Sequence, residues 1–181
     1  MNNPSLDIVI PIYNEGEKII ELFKKFDGNI KTNFRVLLCY DNNNDDVFDY
    51  KDKFNVFKFE IVMVKNPSTG PSAAIKEGLN YGNSECMIVY PADDLINFNI
   101  IDKMYMSFKN GNDIVVASRF MKGGSMKGCP IIKSILVRLA STTLYMFSSI
   151  PVRDASNGFR LFSRKLINLV KIESTLGFAY S

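Results

Sequence analysis

LDIVIPIYNEGEK, residues 6–18, is the stretch that decides the fold class. Leu6 to Ile12 is a short apolar run, rich in β-branched residues, that Pro11 closes without any polar alternation. A strand buried on both faces reads in this way, and such strands belong to parallel sheets covered by helices. Immediately downstream, Asn14 and Glu17 have the spacing of a capping box, and Ile19, Phe23 and Phe26 recur at helical intervals. Strand passing into helix within so few residues opens an α/β unit.

Working outward, the alternation continues. Arg35 to Cys39 predicts a second strand, which runs into the polar cluster Asp41-Asn42-Asn43-Asn44-Asp45-Asp46. That cluster reads equally as part of a site or as a turn. Phe57 to Val64 predicts a third strand. Gly70-Pro71 then opens a helix with proline at its first position, Ala74, Ile75, Gly78 and Leu79 share a face, and Gly82 can end it. Cys86 to Tyr90 predicts a fourth strand ending at Pro91-Ala92-Asp93-Asp94, followed by a helix around Ile100–Lys109 and a strand around Asp113–Ala117. Short links and intervening helices predict parallel strands joined by right-handed crossovers. The stretch MKGGSMKGCP (121–130) has three glycines and two lysines and is expected to be a mobile loop. A long helix over about Ile131–Phe147, a segment from Arg153 to Ser163 and a terminal helix complete the chain, with no internal repeat.

The 181 residues, 46% hydrophobic and 23% charged, suit one domain with a real core. A net charge of +3 is too mild to argue for nucleic acid. The basic residues are nevertheless clustered: positions 119, 122, 127, 133, 138, 153, 160 and 164 are Lys or Arg, against the single acid Asp154. Such a stretch suits an anionic ligand, an anionic membrane surface, or simply a solvated face. Cys39 and Cys86 border apolar runs and read as buried small hydrophobes; with Cys129 the count is odd and widely spaced. That argues against a disulfide framework and a thiolate zinc site, and places the chain in a reducing, cytoplasmic setting. The N-terminus lacks the basic-then-apolar pattern of a signal peptide. No uncharged apolar run reaches the ~18 residues of a spanning helix, since Lys133 and Arg138 interrupt the best one. The chain has no histidine. Ser-His-Asp and Cys-His catalysis and imidazole metal ligation are excluded, so metal or acid–base chemistry here falls to carboxylates.

In open α/β sheets, ligands bind beyond the carboxyl ends of the strands. Tyr13-Asn14-Glu15, Asp41, Asp93-Asp94 and Ser118-Arg119 all fall at such ends. Asn14 by itself is expected to serve as a helix cap or a turn. Asp93-Asp94 is harder to explain structurally, because adjacent carboxylates at the mouth of a buried strand repel unless a cation or donors offset them. A magnesium or manganese ion bridging diphosphate oxygens would do so. No GxxxxGK[ST] loop and no dinucleotide fingerprint occur. A nucleotide here would therefore be held by carboxylates, metal and Arg or Lys.

Taken in order, IVIPIYNEGEKI, LLCYDNNNDD, GPSAAIKEGLNYG, MIVYPADDL, VVASRFMKGG and DASNGFRLFSRK resemble the inverting family 2 glycosyltransferases of the GT-A fold. The resemblance is to the branch containing dolichol-phosphate mannosyltransferase and the polyprenyl-phosphate glycosyltransferases, and it spans almost the whole chain. It implies a Rossmann-like, mostly parallel sheet flanked by helices. Residues 1–118 would form the nucleotide-sugar-binding half and 119–181 an acceptor-side segment. Pro11, Tyr13, Asn14 and Glu15 match the first nucleotide-binding turn, and Asp41 matches one of two acids that contact the base, the other position being Tyr40. Asp94 matches the last Asp of the DXD metal motif, with Asp93 in the middle and Ala92 in place of the first acid. Arg119 and the glycine-rich loop match the region that meets an acceptor phosphate, with Lys133 and Arg138 near further basic positions. Asp154 and Arg160 fall in the DxxxGFR segment.

The implied reaction moves a sugar from a UDP- or GDP-linked donor to an acceptor, with Mg2+ or Mn2+ as Lewis acid on the diphosphate. A hydroxyl acceptor also needs a general base, for which Asp154 is the candidate. A polyprenyl or dolichyl phosphate barely needs one; it needs positive charge, which the stretch from Arg119 to Arg164 offers. Arg160 reads equally as an ion-pair partner of Asp154. In the helix from Ile131, the residues Ile131, Ile132, Ile135, Leu136 and Leu139 lie along one side. They predict a core-covering helix, or a helix lying on the cytoplasmic face of a membrane as a peripheral contact. Family members often continue further, so a chain ending at GFAYS is expected to lack an acceptor-side or membrane portion. Two other readings stand beside this one. A nucleotide-sugar pyrophosphorylase would need a glycine-rich, arginine-containing loop where YNEGEK stands; a non-catalytic nucleotide-sugar-binding or scaffold domain draws on the Tyr40 and Ala92 departures.

Overall fold

The computed structural model describes residues 4–121, 124, 130–148, 152–154, 156–170 and 172. The strands are β1 (Leu6–Pro11), β2 (Phe34–Tyr40), β3 (Glu60–Lys65), β4 (Cys86–Val89), β5 (Ile114–Val116) and β6 (Arg160–Ser163). The helices are α1 (Glu17–Asn29), α2 (Pro71–Tyr81), α3 (Ile101–Lys109), α4 (Ile131–Phe147) and α5 (Arg164–Leu169). A 3-10 helix covers Asp46–Val56, following the polar cluster read as a site or a turn, and a second one, Asn97–Ile100, leads into α3.

The strands form one sheet in the order β3-β2-β1-β4-β6-β5. β1 to β4 are parallel as expected. β5 points the same way as β1 to β4 but pairs with none of them. β6, drawn from a segment with no predicted strand, inserts between β4 and β5 and runs antiparallel to both.

The central strands bury both faces. On one side Ile8, Ile10 and Leu161 pack with Phe23 and Phe26 of α1 and Met104 of α3; on the other Val9, Leu37, Val89 and Phe162 pack with Ala74, Ile75 and Leu79 of α2. Burial of this kind, about 25 cal/mol per Å² of apolar surface, drives the fold. Helix α2 lies so close to the sheet that a Cβ on Gly78 would stand 2.4 Å from Val9 Cγ1 and 2.6 Å from Cys39 Sγ. Cys39 and Cys86 are buried, as their borders on apolar runs implied.

Two features depart from the sequence reading. Asp7, inside the apolar run, is fully buried and accepts from Arg35 Nε (2.9 Å) and Nη2 (3.0 Å) and from the backbone of Asn83 and Ser84. It is the residue directly across the sheet from Arg35, so the register itself makes the pair. Helix α4 has the expected bounds but covers no core: of its side chains only Ser141 is buried, while Ile131, Ile132, Ile135, Leu136 and Leu139 are exposed. In the glycine-rich stretch, residues 122, 123 and 125–129 lie outside the described residues, as do residues 173–181 at the end of the chain. Gly124 is described, and its Cα abuts the backbone of Ser118 and Arg119, leaving no room for a Cβ.

Candidate functional site

A cleft of about 440 Å³ opens at the carboxyl ends of β1, β2 and β4, facing the N-terminus of α2. Pro11, Ile12, Tyr13 and Glu15 line it after β1, Asp41 after β2, Pro91, Ala92 and Asp93 after β4, and Gly70, Pro71 and Ala74 from the start of α2. Pro71 at the first turn of α2 has no N–H to leave unpaired, and the positive end of the helix dipole faces the cleft. Sequence reasoning missed the α2 contribution. Its signal was Gly70-Pro71, where Gly70 takes a φ of 96°.

The turn after β1 is held from a distance, not by a capping box. Gly16 occupies the N-cap position of α1 and no side chain caps the helix. Asn14 (φ 54°) and Gly16 (φ 48°) both take left-handed conformations, which only Gly, and less readily Asn, adopts at low cost. Their amides donate to Asp45 Oδ2 (3.0 Å) and Asp46 Oδ1 (2.8 Å). Asp45 Oδ1 meanwhile accepts from Val47 N and so caps the 3-10 helix. The polar cluster after β2 is thus both a turn and the buttress of the Tyr13–Glu15 wall.

Asp41 reaches across to α2: its Oδ2 accepts from Gly70 N (2.9 Å) and its Oδ1 from Asn66 Nδ2 (2.9 Å). Asp93 and Asp94 differ sharply in their surroundings. Asp94 Oδ1 accepts from the amides of Ile96 and Asn97, and Oδ2 from Asn97 Nδ2 (2.7 Å), so this carboxylate caps its own turn. Asp93 is exposed and lines the cleft. The two expected metal-site acids thus differ in setting: Asp94 accepts from its own turn, and Asp93 lies on the wall of the cleft.

Burial pushes the Glu15 carboxyl above its usual value, Lys18 opposes this, and the charges of Asp93, Asp46 and Asp45 reinforce it. The cleft mouth thus carries concentrated negative charge with oxygen donors alone. Among the described residues, no group of three or more acidic or cysteine side chains could cage an ion by itself. The donor set instead fits a hard divalent cation held by one or two carboxylates and shared with phosphate oxygens, as Mg2+ commonly is.

The remaining candidates lie outside this cleft. Asp154 is fully buried and accepts from Arg119 N (2.9 Å), Nε (2.9 Å) and Nη2 (2.6 Å). Burial alone would raise its pKa, but the hydrogen bonds and charge of Arg119, with Ser156, hold it below the usual value. A carboxylate so held is a weak base, and its ion-pair partner is Arg119, where sequence reading had offered Arg160. Arg160 is buried, donates from Nε to Asn157 O (2.7 Å) and lines a separate hollow between α2 and α5. Arg138 and Arg153 line a third hollow of about 360 Å³, with their guanidinium groups over the rings of Phe120 (5.4 Å) and Tyr145 (5.4 Å). Lys133 is exposed on α4.

Several known proteins resemble this chain. A dolichol-phosphate mannosyltransferase of Pyrococcus furiosus is 23% identical over 177 residues, covering 96% of this chain and 50% of that protein. A putative glycosyltransferase, CsbB, of Bacillus subtilis is 27% identical over 172 residues, covering 93% of this chain and 51% of that one. The chain thus spans about half the length of the curated relatives it matches. Among solved structures, glucosyl-3-phosphoglycerate synthase of Mycobacterium tuberculosis, in complex with Mn2+, UDP and glucosyl-3-phosphoglycerate, superposes with a TM-score of 0.67. It is 14% identical and is matched over 98% of this chain and 63% of its own. S. aureus TarS 1–349 gives 0.66 at 19% identity, over 97% and 52%. These likenesses bear out the GT-A fold. The model of glycosyl transferase family 2 matches residues 7–170, which takes in every strand of the sheet after its first residue and every wall of the cleft; the chain belongs to that family.

Proposed function

We propose that this chain forms the donor-binding part of an inverting glycosyltransferase that uses a nucleoside-diphosphate sugar, UDP- or GDP-linked, and a polyprenyl or dolichyl phosphate acceptor. The observation that carries this reading is the cleft at the ends of β1, β2 and β4, with Tyr13, Glu15, Asp41 and Asp93 on its walls. The UDP and Mn2+ of the mycobacterial synthase favour a uridine nucleotide, and the name of the archaeal relative favours a lipid-phosphate acceptor.

Tyr13 and Asp41 hold the nucleoside end of the cleft, and Asp93, with Glu15 beside it, faces the diphosphate end. Asp93 would hold Mg2+ or Mn2+, which would supply neutralisation of the diphosphate leaving group. Asp94 keeps the turn in shape. Asp154 fixes Arg119 at the end of β5, and a phosphate acceptor, already anionic, needs no base from it. Arg138, Arg153 and Lys133 supply positive charge on the acceptor side. The exposed apolar side of α4 supports peripheral contact with the cytoplasmic face of a membrane. No helix among the described residues is long and apolar enough to cross one.

The test is calorimetric titration of UDP, GDP, CDP and dTDP with and without Mn2+. UDP binding strengthened at least tenfold by Mn2+ is expected, with the metal-dependent part lost in Asp93→Ala. Asp94→Ala is expected first to lower the melting temperature. Binding indifferent to both Mn2+ and Asp93→Ala would overturn the metal site. Metal-dependent binding without any donor hydrolysis or transfer would favour a scaffold domain.

A further inference from the structure

Tyr90 follows β4 and leads into the turn that bears Asp93, and it is the largest fully buried side chain among the described residues. A phenylalanine would fill the same space without a polar group to satisfy. Burying a phenol is costly unless its hydroxyl finds a partner. Here it does: the hydroxyl donates to the carbonyl oxygen of Asp94 at 2.8 Å. The ring is gripped edge-on from two sides, by Phe26 of α1 (centroids 5.2 Å, planes at 86°) and by Phe159 just before β6 (4.9 Å, 75°). Its backbone amide donates to Val9 O (2.9 Å), which extends the β1–β4 ladder one step past β4. The ring therefore cannot shift without moving α1 or the start of β6.

The turn it leads into is tied within itself by the Asp94 carboxylate and joins the core at only a few points. Pro91 and Asp93 are exposed, and Asp94 N reaches Pro91 O at 3.3 Å, a long bond. Ala92, buried, and the Asp94 carbonyl are where the turn meets the core. Asp93 stands between those two points.

We propose that Tyr90 is a positioning residue of the donor site: its hydroxyl, through the Asp94 carbonyl, fixes the turn so that the Asp93 carboxylate faces the cleft where a diphosphate-bound cation is shared. This rests on the donor-site reading given above. A site held to within about 0.5 Å by a packed second layer performs better than a loose one, and here the tie from that layer to the turn is the phenol hydroxyl.

The decisive variant is Tyr90→Phe, which keeps both ring contacts and removes only the hydroxyl. It is compared with wild type and with Phe26→Leu, which loosens the same packing and leaves the hydroxyl in place. Mn2+ is titrated at fixed UDP, UDP binding is measured in EDTA, and melting is recorded without metal. Tyr90→Phe is expected to raise the Mn2+ needed for half-maximal UDP binding by about fivefold to tenfold, the size of one buried hydrogen bond. UDP binding in EDTA should stay at the wild-type level. Phe26→Leu should lower the melting temperature more and leave the Mn2+ midpoint within about twofold. An unchanged midpoint in Tyr90→Phe, or an equal shift in Phe26→Leu, overturns the positioning role and leaves the donor site standing. A wild-type protein that binds no UDP with Mn2+ overturns the donor site itself, and this inference with it.

Discussion

Asp154 and Asp7 are two fully buried carboxylates, each neutralised by one arginine brought from elsewhere in the chain. Removing one partner of such a pair leaves an uncompensated charge, so Asp154→Asn is expected to cost about 3 kcal/mol of stability. The pH dependence follows from the direction of the shift. The folded-state pKa of Asp154 lies below its ordinary value of 3.8, so its stabilisation is complete above that value and fades as the pH falls through the folded pKa. Melting temperatures recorded stepwise downward from pH 5 should fall more steeply for wild type than for Asp154→Asn; parallel curves would remove the ion pair from the account. Neither pairing was legible in the chain. The spacing of DASNGFR suggested Arg160 for Asp154, and Arg119, 35 residues away, is delivered only by the β5–β6 pairing. Asp7 hid in an apolar run, although a lone acid in a buried strand is itself a signal that a cation stands across from it. Asn14 serves in a turn and does not cap α1, and the acids that hold that turn lie 31 and 30 residues beyond Asn14 and Gly16.

Helix α4 shows what an element's sequence can and cannot say. Its ends were readable from Pro130 and the apolar repeat, but the destination of its apolar side was not, since a core and a lipid surface ask for the same residues. In the structure that side is exposed. At 100° per residue, Ile132, Ile135, Leu136, Leu139, Met146 and Phe147 share one side and all are exposed. The opposite side carries the buried Ser141 and the half-buried Ser134 and Val137, and Lys133 and Arg138 flank the apolar arc with no acid in the helix. This is an amphipathic helix with its greasy side outward and cations at the rim, the arrangement that binds anionic lipid. Sedimentation with vesicles containing anionic phospholipid should therefore carry the protein down. Ile135→Glu with Leu139→Glu should abolish that binding with little change in melting temperature. Equal sedimentation of the double variant would sink the proposal. β6 went unread for a different reason: four residues, one of them Arg160, are too few to show a period.

At the scale of the molecule, the readable part was the half whose order in sequence follows its order of pairing. β1, β2 and β4, with α2 between them, carry long apolar runs and clear stops, and the cleft lies where they end. The second half was opaque because β6 completes the sheet out of turn, antiparallel, by joining β4 to β5. Cutting the chain after residue 150 should therefore remove more than an appendage. β4 would keep an unpaired edge, β5 would lose its only partner among the described strands, and Tyr90 would lose Phe159. A broad, non-cooperative melt and aggregation are expected of that fragment; a sharp transition near that of the longer chain would show that the four parallel strands stand alone.

That inserted strand also sets a clock for the chain as it is made. β1 to β4 can assemble as they leave the ribosome, each pairing with a strand already present. β5 emerges next and finds nothing to hold, because its place on the sheet does not exist until residues 160–163 arrive. For the synthesis of more than forty further residues, ~2 to 10 s at ordinary elongation rates, the open edge of β4 and the stranded β5 wait together. It is an interval in which a chaperone, or a neighbouring nascent chain, can reach them first.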